Sequence, residues 1–354
     1  MTYGARVAAV RRWLEAARSV HRDRARIAEA VAASSGLTAE GVELGFSCLE
    51  QDASDEEIVA LVEAAGEAER VHVILSANVF VAPLRAIALA RAASSRVTVR
   101  PSPRDPVLAR ALVAAACDPA IAIVEEQDVA AIATGEIHVY GRDATITTVR
   151  ERARAGVTVR GHGAGLGLAI VTRAADVGAA AEGLAADVVP FDQRGCLSPR
   201  VALVEGDAAR AAAFAGALHE RLATWAERVP RGRLDAEERR EAVRWRDTMA
   251  FAGRVWAAED HAVGLGGAGE ALAVPPAGRH VLVAAVKALA EVSDAIAPIA
   301  RFVVAVGTDD VRAAGSCAPA PARVSALGRM QRPPLDGPVD RRSTPSSPDR
   351  ESPT

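Results

Sequence analysis

The feature that most constrains this chain is an alternation that begins near residue 71. Short apolar, β-branched runs at 71–75, 96–100, 120–125, 136–140 and 157–160 are separated by stretches with helical spacing at 79–93, 106–116, 128–133 and 144–155. Strands this short, each followed by a helix, cannot pair as hairpins. They form parallel βαβ units and a doubly wound α/β sheet with helices on both faces. A second series follows, with apolar runs at 168–172, 200–205, 280–283 and 302–306 and helical stretches at 207–227 and 235–258. Glycine is dense over 161–167, and the boundary between the two series is placed there.

The flanks read differently. The first 35 residues have the pattern of one helix, with Val7, Val10, Leu14 and Ala17 on one stripe and arginines on the other. Ser54 followed by Glu57 is a capping-box pattern that opens a further helix. From Arg332 on, the chain is rich in Pro, Ser, Asp and Arg, and residues 332–354 are expected to be a disordered tail. The sequence has no internal repeat.

Composition narrows the function. Aromatic residues are only 3% of the chain, so the core is built from Ala, Val, Leu and Ile. A net charge of −3 gives no basic face for nucleic acid. The longest uncharged stretch, 71–84, falls well short of the roughly 20 apolar residues that a spanning helix needs. Arg11, Arg12, Glu15 and Arg18 interrupt any apolar leader, so no signal peptide is expected. Cys48, Cys117, Cys196 and Cys317 have neither the pairing of a zinc site nor the density of a disulfide framework. A reducing cytoplasm and no metal are the expectation. Each cysteine is then a small packing residue or a reactive thiol, according to its neighbours.

Cys196 is the one whose neighbours are unusual. It lies in Pro190-Phe191-Asp192-Gln193-Arg194-Gly195-Cys196-Leu197-Ser198-Pro199, a short polar turn just before a strand and not inside an apolar run. Exposed backbone N–H groups and the nearby Arg194 are expected to favour the thiolate. The other three cysteines sit among Ala, Leu and Gly and read as packing residues.

This segment is similar to the nucleophile segment of the acyl-CoA reductases that supply aldehyde in bacterial luminescence, a branch of the aldehyde dehydrogenase superfamily. Other landmarks follow in the same order. Val73-Ile74-Leu75-Ser76-Ala77-Asn78 resembles the strand and turn whose Asn helps to form the oxyanion hole. Val97-Thr98-Val99-Arg100-Pro101-Ser102 resembles the strand that holds the adenosine ribose, and Val139-Tyr140-Gly141-Arg142-Asp143 the turn over the pyrophosphate. Leu327-Gly328-Arg329-Met330-Gln331-Arg332-Pro333-Pro334-Leu335-Asp336-Gly337 resembles the closing segment of the acyl-CoA reductase branch. The resemblance covers roughly residues 70–340.

The resemblance implies a cofactor domain over 1–165 together with the N-terminal helix, and a catalytic domain over 166–331 whose late segments return to the cofactor domain. It implies catalytic roles for Cys196 and Asn78, and cofactor contacts for Arg100, Ser102, Gly141 and Arg142. A Cys196 thiolate attacks an acyl-CoA or acyl-carrier thioester, with the Asn78 amide and the Cys196 N–H as oxyanion donors. A donor of that kind is typically worth on the order of 10²–10³ in rate. A nicotinamide then brings hydride and a fatty aldehyde leaves. Oxidising relatives carry Glu-Leu-Gly-Gly where this chain has Gly161-His162-Gly163-Ala164-Gly165-Leu166-Gly167, so no glutamate activates water and reduction is favoured over hydrolysis. His162 is either a substitute base or a structural histidine. Arg100, with Arg104 close by, points to NADP, with NAD as the alternative, because a guanidinium can hold a 2′-phosphate through two hydrogen bonds. The rivals are an acyl-phosphate reductase of the same superfamily and a non-catalytic relative kept for binding or assembly. A homo-oligomer is compatible with either reading.

Two further patterns are set aside. Gly264-Leu265-Gly266-Gly267-Ala268-Gly269 fits a dinucleotide fingerprint on paper, but no strand is predicted before it and Pro275-Pro276 follow, so it reads as a glycine-rich loop. Glu259-Asp260-His261 reads as a solvated turn, since adjacent residues do not converge on one ion.

Overall fold

Two sheets follow one another along the chain in the computed structural model, which describes residues 1–49, 52–266 and 272–342. The first contains β1 (Val71–Ile74), β2 (Val97–Arg100), β3 (Ile121–Ile123), β4 (Glu136–Tyr140) and β5 (Thr158–His162), all parallel, in the order β3-β2-β1-β4-β5. The second contains β6 (Leu166–Val171), β7 (Pro199–Glu205), β8 (Arg254–Ala257), β9 (Ala262–Leu265), β10 (His280–Val286), β11 (Val303–Thr308) and β12 (Arg323–Ala326), in the order β12-β11-β6-β7-β10-β9-β8. Only the β8–β9 pair in it is antiparallel. Every position of the central strands β1 and β6 is buried, whereas β2 alternates. Strands covered on both faces read as continuous apolar runs for this reason.

The N-terminal region is two helices and not one. Helix α1 (Tyr3–Arg22) stops at Asp23, a tight turn spans Arg24–Arg26, and α2 (Ala28–Ser35) and α3 (Ala39–Phe46) follow. The break lets the Arg24 guanidinium reach Glu43 of α3 while Val31 of α2 is fully buried. Helix α4 (Asp55–Ala65) opens on the Ser54–Glu57 capping box. Helix α5 (Ala82–Ala93) is buried from Pro83 to its end, which its alanines permit because neighbouring helices can approach closely. Trp13 of α1 donates to the Leu84 carbonyl of α5 at 2.9 Å, and the buried Arg6 reaches carbonyls at the ends of α4 and α5. Helices α6 (Val107–Ala116) and α7 (Asp143–Arg152) complete the first unit. Helix α8 (Val177–Val188) has no apolar stripe that the sequence reading picked up; Asp176 caps it at 2.7 Å. Helix α9 (Ala208–Arg228) packs with α8 on one face of the second sheet, and α10 (Ala236–Ala252) lies against β8 and β9.

Three expectations are corrected here. The helical stretch 235–258 ends at Gly253, after which the chain turns back as the edge strand β8. Gly264 and Leu265 belong to β9, where a side chain at 264 would press on Met249 and Trp245; residues 267–269 of that pattern lie outside the described residues. Residues 332–342 form a packed strap, not a disordered tail. Leu335 is 1% exposed, and Arg85 of α5 donates to the carbonyls of Pro333, Pro334 and Gly337 at 3.0, 2.8 and 2.6 Å. Proline deprives that segment of its own donors but not of its acceptors, and arginines from elsewhere satisfy them. Residues 343–354 lie outside the described residues. Among the described residues no helix is long and apolar enough to cross a membrane.

Candidate active site

The chain passes from the end of β5 to the start of β6 through residues 163–165 alone. The carboxyl ends of the first sheet therefore face the amino ends of the second. From β1 the chain steps through β2 to β3 on one side, then returns to β4 and β5 on the other. The crevice above β1 and β4 is the switch point where open α/β sheets bind ligands. A cavity of ≈ 170 Å³ opens there, and Ser76, Asn78, Tyr140, Gly141, His162 and Cys196 all line it.

The turn before Cys196 is held in a conformation that its residues do not favour. Phe191, Asp192 and Gln193 have φ of 56°, 49° and 64°, three consecutive non-glycine residues in the left-handed region. Each costs roughly 1–2 kcal/mol. Buried contacts on every residue offset this. Phe191 packs edge-on against Phe80, 5.7 Å between ring centres. The Asp192 carboxylate meets the Arg279 guanidinium at 2.8 Å, both almost wholly buried, and accepts from the Gly232 N–H at 2.9 Å. The Gln193 amide donates to the carbonyls of Pro199 and His280 at 2.7 Å and accepts from the His280 N–H at 2.8 Å. Strain kept in place by surrounding structure is characteristic of functional turns. Glycines make room around it: a side chain at Gly165 would strike Val304, and a Cβ at Gly195 would lie 3.3 Å from both Val79 and Ser198.

Cys196 itself is half-buried. Burial is the main reason its thiol is pushed up to about 11; Asp340 adds to the rise, and Arg342 and Arg323 oppose it. The cation expected from sequence is otherwise engaged. Arg194 donates to Glu238 at 2.9 Å and to the Arg233 carbonyl at 3.0 Å, so its charge is neutralised away from the sulfur. His162 stacks on Tyr140 with 4.4 Å between ring centres, and burial lowers its pKa to about 4, so it is neutral at neutral pH. The Tyr140 hydroxyl is buried with no hydrogen-bond partner among the described residues, and burial raises its pKa.

The residues singled out from sequence are only partly brought together. Cys196, Asn78 and Gly141 share the cavity. Arg142 is exposed beside Gly141, ahead of α7. Arg100 and Ser102 stand one strand away at the end of β2, the first half-exposed and the second buried in a bridge with Asp105. Of the remaining cysteines, Cys48 and Cys317 are buried, but Cys117 is exposed in a left-handed cap of α6 and is not a packing residue. Glu259-Asp260-His261 is not a solvated turn either. His261 is fully buried between Asp260 at 2.8 Å and His219 at 2.9 Å.

Sequence reasoning missed the strap. Val339 and Asp340 line the cavity, and Arg342 binds Asp340 through two hydrogen bonds of 2.8 and 2.6 Å. Arg323 of β12 holds the strap down, donating to Asp336 at 2.7 Å and to the Pro338 and Val339 carbonyls at 2.7 and 3.1 Å. The available signal was the closing motif itself, which ends at Gly337 and is followed within five residues by Asp340, Arg341 and Arg342.

The two sheets and the cleft beside Cys196 have the fold of aldehyde dehydrogenases. A benzaldehyde dehydrogenase from Corynebacterium glutamicum superposes with a TM-score of 0.71 at 16% identity, covering 93% of this chain and 82% of its own. A mutant of Bradyrhizobium japonicum proline utilization A gives 0.69 at 17% identity, covering 96% of this chain, which spans only 41% of that larger protein. An NADP-dependent glyceraldehyde-3-phosphate dehydrogenase from Bacillus halodurans, solved with NADP, gives 0.65 at 15% identity, with 92% and 79% covered. No protein among the curated sequences matches. Residues 60–332 match the acyl-CoA reductase (LuxC) family, and the chain belongs to that family of oxidoreductases.

Proposed function

We propose that this protein reduces a fatty acyl thioester, carried on CoA or on an acyl carrier, to the aldehyde, with Cys196 as the nucleophile and NADPH as the reductant. The observation that carries this reading is the meeting of Cys196 and Asn78 in one cavity at the switch point of the parallel sheet. The same crevice fits a nicotinamide. It is lined by the unpartnered Tyr140 hydroxyl and bordered by Gly141, whose missing side chain leaves space ahead of α7. Gly141 and Arg142 would lie along the pyrophosphate, with Arg100 and Ser102 at the ribose. Among the described residues Arg100 has no ion-pair partner, which leaves it available for a 2′-phosphate. When bound, the cofactor supplies hydride.

The chain's own residues account for the remaining steps. The Cys196 thiol loses its proton, and its sulfur attacks the thioester carbonyl carbon. The resulting oxyanion is held by the Asn78 amide and the Cys196 N–H. The carbonyl re-forms as the carrier's thiolate departs and takes up a proton, leaving the acyl group on Cys196. Once hydride has been delivered to the thioester carbon, the alkoxide on that carbon re-forms its carbonyl as the C–S bond breaks, so the aldehyde leaves and Cys196 is returned as the thiolate. No glutamate occupies 161–167, and the one carboxylate among the cavity residues, Asp340, is tied to Arg342, so water activation is disfavoured.

The test is Cys196→Ala assayed with acyl-CoA of several lengths and NADPH. Aldehyde formation should be lost while nucleotide binding is retained, and a variant that still makes aldehyde removes Cys196 from the mechanism. Offering acyl phosphate in parallel separates the acyl-phosphate alternative.

A further inference from the structure

We infer that Arg342 is the cation that favours ionisation of Cys196, and that Asp340, which grips it, limits how much of its charge reaches the sulfur. The inference rests on Cys196 as the nucleophile and adds to that reading two residues from a segment whose composition resembles a disordered tail. The geometry places both beside the thiol. A Cβ built on Gly165 would lie 3.2 Å from the Cys196 Cβ and 3.4 Å from an Arg342 guanidinium nitrogen, so the two groups border the same small gap. Asp340 lines the cavity that Cys196 lines. The pair is shielded, with side-chain exposures of 20% for Arg342 and 10% for Asp340, so its field is less screened than that of a surface pair. Arg342 is held on a third side by the Arg301 carbonyl at 2.8 Å.

The other charged or titratable groups around the thiol do not serve. Arg194 is neutralised by Glu238, Arg85, which lines the cavity, donates to the carbonyls of Pro333, Pro334 and Gly337, and Arg323 is committed to Asp336 and to strap carbonyls. His162 is neutral. Asp143 accepts from the Ala164 N–H at 2.9 Å, on the linker, and adds negative charge near Arg342. The Tyr140 phenol is held protonated by burial. Arg342 is thus the cation near the sulfur whose neutralising partner, Asp340, itself faces the cavity. A buried thiol needs such a cation to act at neutral pH.

The test measures ionisation directly. Full-length folded protein is alkylated with iodoacetamide, in which the Cys196 thiolate displaces iodide to form a thioether, and the modified peptide is quantified by mass spectrometry from about pH 6 to 10. Arg342→Gln should slow Cys196 alkylation near neutral pH by about tenfold, and Asp340→Asn should speed it by about tenfold, one pKa unit in each direction. Arg342→Lys should restore most of the rate. The double variant should return close to wild type, because opposite charges have been removed together. Loosening of the strap gives a different pattern: both single variants and the double would react faster, and that result overturns the assignment. Single variants with unchanged profiles overturn it too. Either outcome leaves the nucleophile reading standing, whereas aldehyde made by Cys196→Ala defeats that reading whatever the alkylation rates are.

Discussion

The nucleophile turn and the strap meet at the same cavity, but they are held there by different means. The turn at 190–198 is fixed by buried polar groups of the second unit, with Phe191 packed on Phe80 of the first. Asp192, Gln193 and Ser198 are at most 1% exposed, and a guanidinium, two backbone N–H groups and two carbonyls converge on it. The strap at 333–342 lies across both units and, among the described residues, makes no backbone–backbone hydrogen bond within itself; its internal bonds all run to the side chains of Asp336 and Asp340. Two buried arginines, Arg85 from the first unit and Arg323 from the second, capture its carbonyls. A buried network makes a turn rigid enough to sustain three left-handed residues. A carbonyl-anchored strap can be rigid while it is docked and still be released as one piece. The comparison therefore predicts that damage to the turn costs global stability, and that damage to the strap costs local order first.

The largest effect should come from Arg279→Ala. It leaves the Asp192 carboxylate, 1% exposed, with only a 3.7 Å contact to Arg194, a cation already engaged by Glu238, and removal of one partner of a buried pair costs about 3–5 kcal/mol. Denaturant unfolding should show this loss with an unchanged m-value. A loss below about 1 kcal/mol, typical of a surface pair, would mean that the turn does not depend on the pair. Arg85→Ala should be milder globally, on the order of 2 kcal/mol, because the carbonyls it abandons can reach water once the strap lifts. Limited proteolysis sharpens the contrast: cleavage within 333–342 should accelerate well before global unfolding, whereas Arg279→Ala should show cleavage spread over the chain. Proteolysis of Arg85→Ala that matched the wild type would show that the strap is held by something else.

The two regions also differ in how much of each is legible in the sequence. The parallel sheets follow from runs of β-branched residues too short to be anything but strands between helices, and most core strands lie within two residues of the expected places. The Cys196 turn stands out because a cysteine in an apolar fold occurs there in a polar context. The strap's order depends instead on Arg85 and Arg323, about 250 residues upstream in one case and within 20 in the other, and no local pattern announces that an arginine will seek carbonyls. The same holds for Arg194. Sequence proximity suggested a partner for the thiol, but its direction was decided by Glu238 on α10, which the chain brings alongside only after it folds. His261 was misread for a related reason: its burial is conferred by His219 on α9. Short edge strands such as β8 are hidden because their pairing, and not their composition, makes them strands.

The rim that receives the nucleotide provides a smaller test of the same contrast between fixed and open parts. Arg100 is half-exposed and anchors nothing in the core, so Arg100→Ala should leave stability unchanged. If it holds a 2′-phosphate, the KM for NADPH should rise about tenfold, close to the 1.4 kcal/mol of a charge-assisted contact, while the KM for NADH stays flat. Equal change with both cofactors would transfer discrimination elsewhere on the rim.

The smallest effect concerns His162, which belongs to the rim and is half-buried against Tyr140. Burial lowers its pKa from 6.5 to about 4 in the folded protein. Between those values the unfolded chain binds a proton that the folded chain refuses, so this group destabilises the fold progressively as pH falls from about 6.5 to 4 and has no effect above that window. Asp187, raised to about 7 by burial behind Gly328 and Met330, works in the opposite direction: its contribution is full below its unfolded value and is lost as pH rises through 7. His280, lowered to about 3, reinforces His162 at the acid end. His162→Phe keeps a ring to stack on Tyr140 and removes the titration, so its melting temperature should fall less than the wild type's between pH 7 and 5.5, a difference of about 1 kcal/mol at the lower pH. Parallel curves for the two proteins would mean that the imidazole is reached by water in the folded state. The rim would then be open on both sides, and only the Cys196 turn would remain closed.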